Sequence, residues 1–264
     1  VHGDISIESC GALTVNNFRQ VQVERVNGAL VGENGNGRLH INHVTEAVTS
    51  RRSVRQFLDT PVDKAILERV LVKAQRAPSG GNTQPWNAVI LTGAPLADLT
   101  AKIKAKVATA PMGDGHEYDI YPKDLEGRYE EQRRGIGKAM FDSLGLARED
   151  GAGRLAQVVK NWDSFGAPVQ LFTYTRKYMG PPQWSDMGMW LQTVMLLLRE
   201  EGLDSCAQEI WAMYGTTMRA LLNIDDDHIF FCGMAIGYRD AEAAVNNFTV
   251  PRVEIEQAIR WDGF

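Results

Sequence analysis

Two short segments of this 264-residue chain carry side chains whose types and spacing suit ligand binding. Residues 50–57 (Ser-Arg-Arg-Ser-Val-Arg-Gln-Phe) bring three guanidiniums close to two hydroxyls. Arginine stays charged and its planar fork matches phosphate oxygens, while hydroxyl and backbone N–H groups complete such sites. Residues 78–86 (Pro-Ser-Gly-Gly-Asn-Thr-Gln-Pro-Trp) join a glycine pair, which lets backbone approach a flat ligand, to amide groups that donate and accept hydrogen bonds. Together they predict a ligand with a phosphate at one end and a polar heterocycle at the other.

Each segment also has a purely structural interpretation. The basic run could be a solvated helix end, and the amide segment could be an ordinary helix-to-strand loop. The basic run is also too short to follow a polyanion, and the chain carries a net charge of −5, so we expect no nucleic-acid binding. The occurrence of both segments in one chain favours the binding interpretation.

Helices and strands at regular spacing must position these segments. Asp63 can cap a helix whose apolar face holds Leu67, Val70, Leu71 and Ala74, and this helix separates the two segments. Apolar runs predict strands at residues 87–92, 169–175 and 229–236, with a possible fourth at 203–207. Further helices are predicted at residues 96–107, 123–145, 153–162, 184–201 and 254–259, and a loop at 111–122. The pattern from residue 44 onward indicates one α+β domain.

The first 43 residues differ from the rest in composition. Apolar and polar residues alternate at 4–8, 21–26 and 38–42, which predicts short strands, and Gly35-Asn-Gly37 predicts a turn. We interpret residues 1–43 as an N-terminal extension or arm. An arm that packs on a partner subunit is the alternative, and the simple extension is preferred.

Several functional classes find little support. Cys10, Cys206 and Cys232 are too widely spaced for a disulfide framework, and His40 and His43 lack further ligands for a metal site. The longest apolar run is about twelve residues, whereas a membrane span needs about 20. We therefore expect no metal and no membrane association, and a cytoplasmic location.

The two segments, in this order and spacing, resemble the flavin-dependent nitroreductase family over residues 44–264. The resemblance implies an α+β fold with a central, mostly antiparallel sheet wrapped by helices. It also implies an intertwined homodimer with FMN at the subunit interface. The cofactor, rather than any side chain, would carry the redox chemistry.

The resemblance assigns cofactor contacts to twelve residues in four segments. Arg51 and Ser53 would hold the phosphate, and Arg55 would lie near flavin N1 and O2. Arg252 would return to the phosphate, with Arg239 as its competitor. The complete predicted set is Arg51, Arg52, Ser53, Arg55, Pro78, Ser79, Asn82, Gln84, Ala207, Gln208, Glu209 and Arg252. The segment 206–209 departs from the Pro-x-Glu-Gly pattern of many family members, while Tyr118, Tyr121 and Trp184 are candidates for a substrate channel.

The implied activity is reduction of nitroaromatic or quinone-like acceptors by NADH or NADPH, through ping-pong hydride transfer at flavin N5. Alternatives on the same scaffold are an ene-reductase, a reductive dehalogenase and an enzyme that fragments reduced flavin. A flavin-binding module without turnover is an alternative of a different class. The sequence does not decide among them, because fold and function are separable.

Overall fold

The computed structural model describes residues 44–264 and, before them, five short strands. These strands are β1 (Asp4–Ile7), β2 (Leu13–Asn16), β3 (Gln20–Val23), β4 (Leu30–Glu33) and β5 (Arg38–Leu39). They form a three-stranded sheet in the order β1-β3-β5 and a two-stranded sheet, β2-β4, with parallel pairing throughout. Three of the five coincide with the predicted alternation. The predicted turn at Gly35-Asn-Gly37, Cys10, His40 and His43 lie outside the described residues, and the division at residue 44 stays a prediction.

A four-stranded antiparallel sheet forms the centre of the remaining chain. Its strands are β6 (Asn87–Thr92), β7 (Val169–Arg176), β8 (Asp204–Gln208) and β9 (His228–Gly237), in the order β6-β7-β9-β8. The predicted antiparallel sheet is confirmed, as is the fourth strand. The two central strands, β7 and β9, are almost wholly buried, which explains why they read as continuous apolar runs rather than as alternating ones.

Eight helices accompany the sheet in the described part of the chain. Their bounds are α1 (Val44–Ser50), α2 (Lys64–Ala74), α3 (Gly93–Thr109), α4 (Gly127–Ser143), α5 (Gly151–Val159), α6 (Pro181–Glu200), α7 (Gly215–Leu221) and α8 (Ile255–Ala258). All six helices predicted from the sequence are present, with ends shifted by a few residues. The short helices α1 and α7 were not predicted. Both are rich in β-branched residues or glycine, so packing rather than intrinsic propensity fixes them.

Helix α6 is the organising element of one side of the sheet. Its buried face includes Met187, Trp190, Val194 and Leu198, and it packs on α2. The ring of Trp86 lies parallel to that of Trp190, with centroids 6.1 Å apart, and Trp86 belongs to the apolar core. The amide-rich segment is therefore attached to the core at its C-terminal end.

A second apolar cluster covers the other side of the sheet. Trp162 meets Trp211 and Tyr214 edge to face, with ring centroids 5.1 and 5.2 Å apart, and Phe172 meets Trp211 in the same way. The loop at 111–122 is fixed above this cluster by polar contacts. Its Asp114 accepts a hydrogen bond from the backbone N–H of Thr217 at 3.0 Å. No helix in the described part of the chain has the length and apolar character needed to cross a membrane.

Candidate active site

The cationic segment, residues 51–57, runs along the outer edge of the sheet. Ser53 pairs in parallel with Ser205 of β8, and the Val54 N–H donates to the Ser205 carbonyl at 3.1 Å. Val54 is completely buried, whereas Ser53 and Arg55 are half-buried. Because neighbouring residues of an extended segment point to opposite sides, Ser53 and Arg55 share the side away from Val54. The fold thus keeps one face of this segment open to a ligand.

Arg51 and Arg55 lie close to a single residue of β8. Burial raises the pKa of the Cys206 thiol, and both guanidiniums partly oppose that rise. Among the residues that the structure describes, neither arginine has a carboxylate within ion-pair distance; Arg55 Nη1 donates to the Ser53 carbonyl at 3.1 Å. Two half-buried cations without counter-charges at one place are suited to an anionic ligand. Cys206 is buried and belongs to the same apolar cluster as Val54 and Phe57.

Arg52 points to a different set of partners. Its Nη1 donates to the Asn246 carbonyl at 2.7 Å, and it acts together with Arg199 and Arg239 on the carboxyl of Asp204. Burial raises the pKa of Asp204, and the three arginines oppose that rise, with Arg199 Nη1 closest at 3.0 Å. The structure therefore divides the predicted arginines by their partners: the exposed Arg52 is tied to Asn246, whereas Arg51 and Arg55 have no carboxylate partner among the described residues.

Asn246 is the residue that fixes the cationic segment from the other side. Its Oδ1 accepts from the Arg55 N–H at 2.8 Å, and its Nδ2 donates to the carbonyls of Gln56 and Asp240, both at 2.8 Å. The side chain is buried, and all these partners are main-chain groups. This residue was not predicted, since nothing in the order Val-Asn-Asn-Phe distinguishes it from its exposed neighbour Asn247.

The amide loop, residues 78–86, has the opposite character. Gly80 to Gln84 are all exposed, and Gly81, Asn82 and Gln84 adopt positive φ angles of 58°, 57° and 45°. Such angles are uncommon outside glycine and mark a loop that its surroundings hold in shape. The carboxylate of Asp186 on α6 accepts from the Gly80 N–H at 3.2 Å, and Ser79 Oγ accepts from the Gln84 N–H at 3.0 Å.

Those contacts leave the side chains of Asn82 and Gln84 exposed, with one long hydrogen bond of 3.4 Å from Gln84 Nε2 to the Asn82 carbonyl. Pro78 is exposed at the start of the loop, and Ser79 is half-buried. The loop therefore presents amide donors and acceptors outward, which is what recognition of a heterocycle edge requires. Asp186 was not predicted, although it is the one carboxylate in α6 before the terminal Glu200 and was a usable signal.

Residues 207–209 divide in the same alternating manner. Ala207 is exposed, while the side chain of Gln208 is occupied in the interior, donating to the Asn161 carbonyl at 3.0 Å and accepting from Gln170 Nε2 at 3.1 Å. Gln208 thus has only its backbone to offer a ligand. Desolvation raises the pKa of Glu209, whose charge also acts on Tyr118 and Cys232.

The aromatic candidates for a substrate channel separate into two groups. Tyr118 and Trp184 meet edge to face with ring centroids 5.0 Å apart, and the Tyr118 hydroxyl donates to the Phe231 carbonyl at 2.5 Å. Tyr121 is exposed and lies under the guanidinium of Arg133, 4.1 Å from the ring centroid. The channel assignment stays a prediction for all three.

The two candidate arginines near the C-terminus differ in their surroundings. Arg252 is exposed and donates to the carbonyls of Val250 and Pro251 beside it. Arg239 pairs through its backbone with Phe57, and its Nε lies 3.7 Å from a carboxylate oxygen of Asp204. The structure pairs Arg239 with the cationic segment, and the choice of Arg252 as the phosphate ligand stays a prediction.

Comparison with known proteins places this arrangement in a family. A model of the nitroreductase family matches residues 48–238. The 4-nitrobenzoate reductase of Pseudomonas putida is 35% identical over 217 residues, which cover 82% of this chain and 94% of that protein. This chain belongs to the nitroreductase family.

Two solved structures extend the comparison of this nitroreductase-family chain to three dimensions. The FMN and NADPH-dependent nitroreductase NfnB from sphigopyxis sp. strain HMH superposes with a TM-score of 0.82 and 53% sequence identity, covering 84% of this chain and 100% of that one. The FMN-dependent nitroreductase NfnB from Mycobacterium smegmatis was solved in complex with NADPH. It superposes with a TM-score of 0.78 at 27% identity, covering 83% of this chain and 97% of that one.

Proposed function

We propose that this chain is an FMN-dependent nitroreductase that oxidises NADPH and reduces nitroaromatic acceptors. The observation that carries the proposal is the pair of half-buried guanidiniums, Arg51 and Arg55, on the open face of the edge segment with no carboxylate counter-charge among the described residues. The cofactor and donor of the 53%-identical NfnB support the same assignment. A cytoplasmic location stays a prediction.

The residues present fit FMN. Arg51 and Ser53 would hold its phosphate, and Arg55 would place a fixed positive charge beside the N1 and O2 atoms of its ring. Asn82 and Gln84, both exposed, would bind the pyrimidine edge, and the backbone of residues 207–209 would face N5. When bound, FMN supplies the two-electron redox chemistry, while the protein binds, orients and sets the local charge.

We further propose that the site is completed in a homodimer. Within one chain, Asp186 holds the amide loop and Arg199 Nε contacts Ser50 Oγ at 3.3 Å, just before the cationic segment. Asp186 and Arg199 are thirteen residues apart on α6, which at about 1.5 Å per residue is about 20 Å along the helix. Both segments can contact one flavin most easily when the loop comes from a second chain.

Exposed apolar side chains near the C-terminus support the same dimer. Ile255, Ile259, Trp261 and Phe264 are all exposed, with Phe264 entirely so. An apolar tail of this kind is commonly covered by a partner subunit. Sedimentation or light scattering should give twice the chain mass, and a monomer that retains full flavin would contradict the proposal.

A mixing experiment tests whether each flavin uses both chains. Arg51→Ala and Asn82→Gly should each lower FMN content when prepared alone. After unfolding and refolding together in equal amounts, about one site in four would combine an intact cationic segment with an intact loop, provided that they come from different chains. Recovery of flavin in the mixture supports the shared site; no recovery, with each variant folded, shows that both segments serve the same flavin from one chain.

The activity itself is tested by colour and turnover. Purified protein should be yellow, bleach when NADPH is added without acceptor, and regain colour with a nitrobenzoate. A preparation that stays colourless after added FMN would contradict the proposal, whereas tight FMN binding without NADPH oxidation would indicate a binding module. A panel of nitroaromatic, quinone, enone and halogenated acceptors separates the same-scaffold alternatives.

The role of Arg55 has a separate test. Replacing it by alanine should make the flavin harder to reduce, because the fixed charge beside N1 and O2 is lost. The measurement is the midpoint potential of bound FMN. Arg260→Ala is the matched control, since Arg260 is exposed and ion-paired with Asp262 at 2.6 Å. An unchanged potential in Arg55→Ala would remove Arg55 from the flavin ring.

A further inference from the structure

A basic cavity lies between α4 and α5, outside the segments assigned above. Its volume is about 670 Å³, within the range of small-molecule sites and far larger than one inorganic ion requires. Five of its lining side chains are cationic and one is acidic: Arg133, Arg134, Lys138, Arg148, Arg154 and Asp142. An excess of four positive charges in one cavity favours a ligand with more than one negative charge.

Among the described residues, three of the five cations have no carboxylate within ion-pair distance. Lys138 is paired with Asp142 at 2.5 Å, and Arg134 with Glu130 at 2.6 Å. Within residues 44–264, no carboxylate lies within ion-pair distance of Arg133, Arg148 or Arg154. These three guanidiniums are therefore available to an anion.

Aromatic rings hold two of the available guanidiniums in place. Arg154 lies over the ring of Phe141, 4.0 Å from its centroid, and Arg133 lies over Tyr121 at 4.1 Å. Stacking uses the face of a guanidinium and leaves the N–H groups at its edge to bind oxygens. Such an arrangement suits a phosphate, which accepts two parallel hydrogen bonds from one arginine.

Two glycines on α4 open the same cavity. Gly135 and Gly137 both line it, and a Cβ added at either position would meet no atom within 4 Å. Neither has a positive φ, so the backbone does not require glycine. Glycine in a helix interior is less stable than alanine, and packing within the described chain gives no reason for it. A ligand that approaches the helix backbone closely does give one.

Two elements beside the cavity, α4 and the stretch after α5, contact the cationic segment or the residues that hold it. Helix α4 packs on residues 244–246, where Asn246 holds Arg52 and Arg55. The stretch that follows α5 contacts Gln56 through Lys160 Nζ at 3.4 Å. The elements beside the cavity and the segment proposed to bind the flavin phosphate are therefore in contact through Asn246 and Gln56.

We propose that this cavity binds the adenosine 2′-phosphate end of NADPH. The inference rests on the proposed function, which makes NADPH the electron donor. An aromatic carboxylate acceptor is a second possible source of negative charge. Three unpaired guanidiniums and the cavity volume exceed what one carboxylate needs, so the phosphorylated nucleotide is the better match.

The test uses full-length FMN-loaded protein and the variants Arg148→Gln and Arg154→Gln. Each should raise KM for NADPH tenfold or more at unchanged kcat, change KM for NADH much less, and weaken calorimetric binding of adenosine 2′,5′-bisphosphate. Lys64→Gln removes an exposed charge on α2, paired with Glu68, and should alter none of these values. Gly135→Ala should raise KM for NADPH while thermal stability stays equal or increases.

The contrary outcomes are distinct. Unchanged KM for NADPH in both arginine variants, or an equal rise for NADH, would overturn the 2′-phosphate assignment. A rise in KM for 4-nitrobenzoate but not for nitrobenzene or NADPH would assign the cavity to acceptor carboxylates instead. If the wild-type protein oxidises no NADPH, the proposed function fails, but binding of the bisphosphate still tests the cavity alone.

Discussion

The cationic segment and the amide loop, both proposed to contact the flavin, are supported in opposite ways. The backbone of the cationic segment is fixed by Ser205, Asn246 and Phe165, which accept from the N–H groups of Val54, Arg55 and Phe57 at 2.8–3.1 Å. The amide loop is exposed, contains three residues with positive φ, and is held by Asp186 and by Ser79 within the loop itself.

The difference shows where each segment obtains its conformation. A positively charged side chain binds a ligand more tightly when it is already positioned, because ordering a free guanidinium on binding costs side-chain conformational entropy. The conformation of the amide loop is determined by its own backbone geometry, and its outer face is accessible to a ligand or a second chain. Substitutions around the cationic segment should therefore affect folding, whereas substitutions in the loop should mainly affect binding.

The largest effect is expected for Arg199→Met. Arg199 is the closest partner of the buried Asp204 and also contacts Ser50. Its removal leaves a buried carboxylate without its main counter-charge, which costs about 3–5 kcal/mol of unfolding free energy. Chemical denaturation at pH 7.5 measures the loss. The control, Lys73→Met, removes a partly exposed pair with Glu200 and should cost below about 1 kcal/mol.

The same variant should show a specific pH dependence. Burial already raises the pKa of Asp204, and removing Arg199 takes away the largest opposing attraction, so the folded-state pKa rises further. The unfolded chain has an ordinary pKa near about 4. The cost should therefore shrink as pH falls through the folded-state pKa, because the folded protein then takes up a proton first. A loss that is the same at pH 5 and pH 7.5 would show that Asp204 does not depend on Arg199.

A smaller but still large effect is expected for Asn246→Ala. The substitution removes three side-chain hydrogen bonds to the main chain of Arg55, Gln56 and Asp240. Leaving such buried groups without partners costs on the order of 2–4 kcal/mol. Asn247→Ala is the matched control, since its amide contacts Ala241 and Ala243 from an exposed position. Equal losses of unfolding free energy in the two variants would mean that Asn246 does not hold the segment.

The contrast also explains what the sequence could and could not predict. Both segments proposed to bind the flavin and all four central strands were recognisable, because unusual side chains and apolar runs are local properties. The roles of Asn246 and Asp186 could not be recognised in this way. Asn246 contacts Arg55, 191 positions away in the chain, and Asp186 contacts Gly80, 106 positions away. The partners of the three arginines could not be predicted either. Arg52 donates to Asn246, whereas Arg51 and Arg55 have no carboxylate partner among the described residues, and these differences depend on how the segment pairs with β8.

Helices show the same limit in another form. α1 has the sequence Val-Thr-Glu-Ala-Val-Thr-Ser, whose β-branched residues lower helix propensity, and its one buried residue, Ala47, gives no periodic pattern. It forms where it packs on α6. α4 was predicted from its length and charge. Its glycines at 135 and 137 line the cavity, a position that the sequence alone does not reveal.

Within the amide loop, Gly81→Ala should have a modest effect. Gly81 has a φ of 58°, which alanine adopts at a cost of about 1–2 kcal/mol. Gly80→Ala is the neighbouring control, because Gly80 lacks a positive φ and its added Cβ would lie 3.9 Å from Asp186, an ordinary contact. Thermal or chemical unfolding of the flavin-free protein compares the two. A larger loss for Gly80→Ala than for Gly81→Ala would show that the loop is limited by packing and not by its backbone.

The smallest effect on stability, and the clearest separation of folding from binding, is expected for Asn82→Gly. Glycine accepts the φ of 57° found at Asn82, so the unfolding free energy should change by less than about 0.5 kcal/mol. The amide that would contact the flavin is removed, so FMN should dissociate more readily, as measured by fluorescence of released flavin. A large loss of stability without loss of FMN affinity would reverse the contrast, because the exposed loop would then be serving the fold and not the ligand.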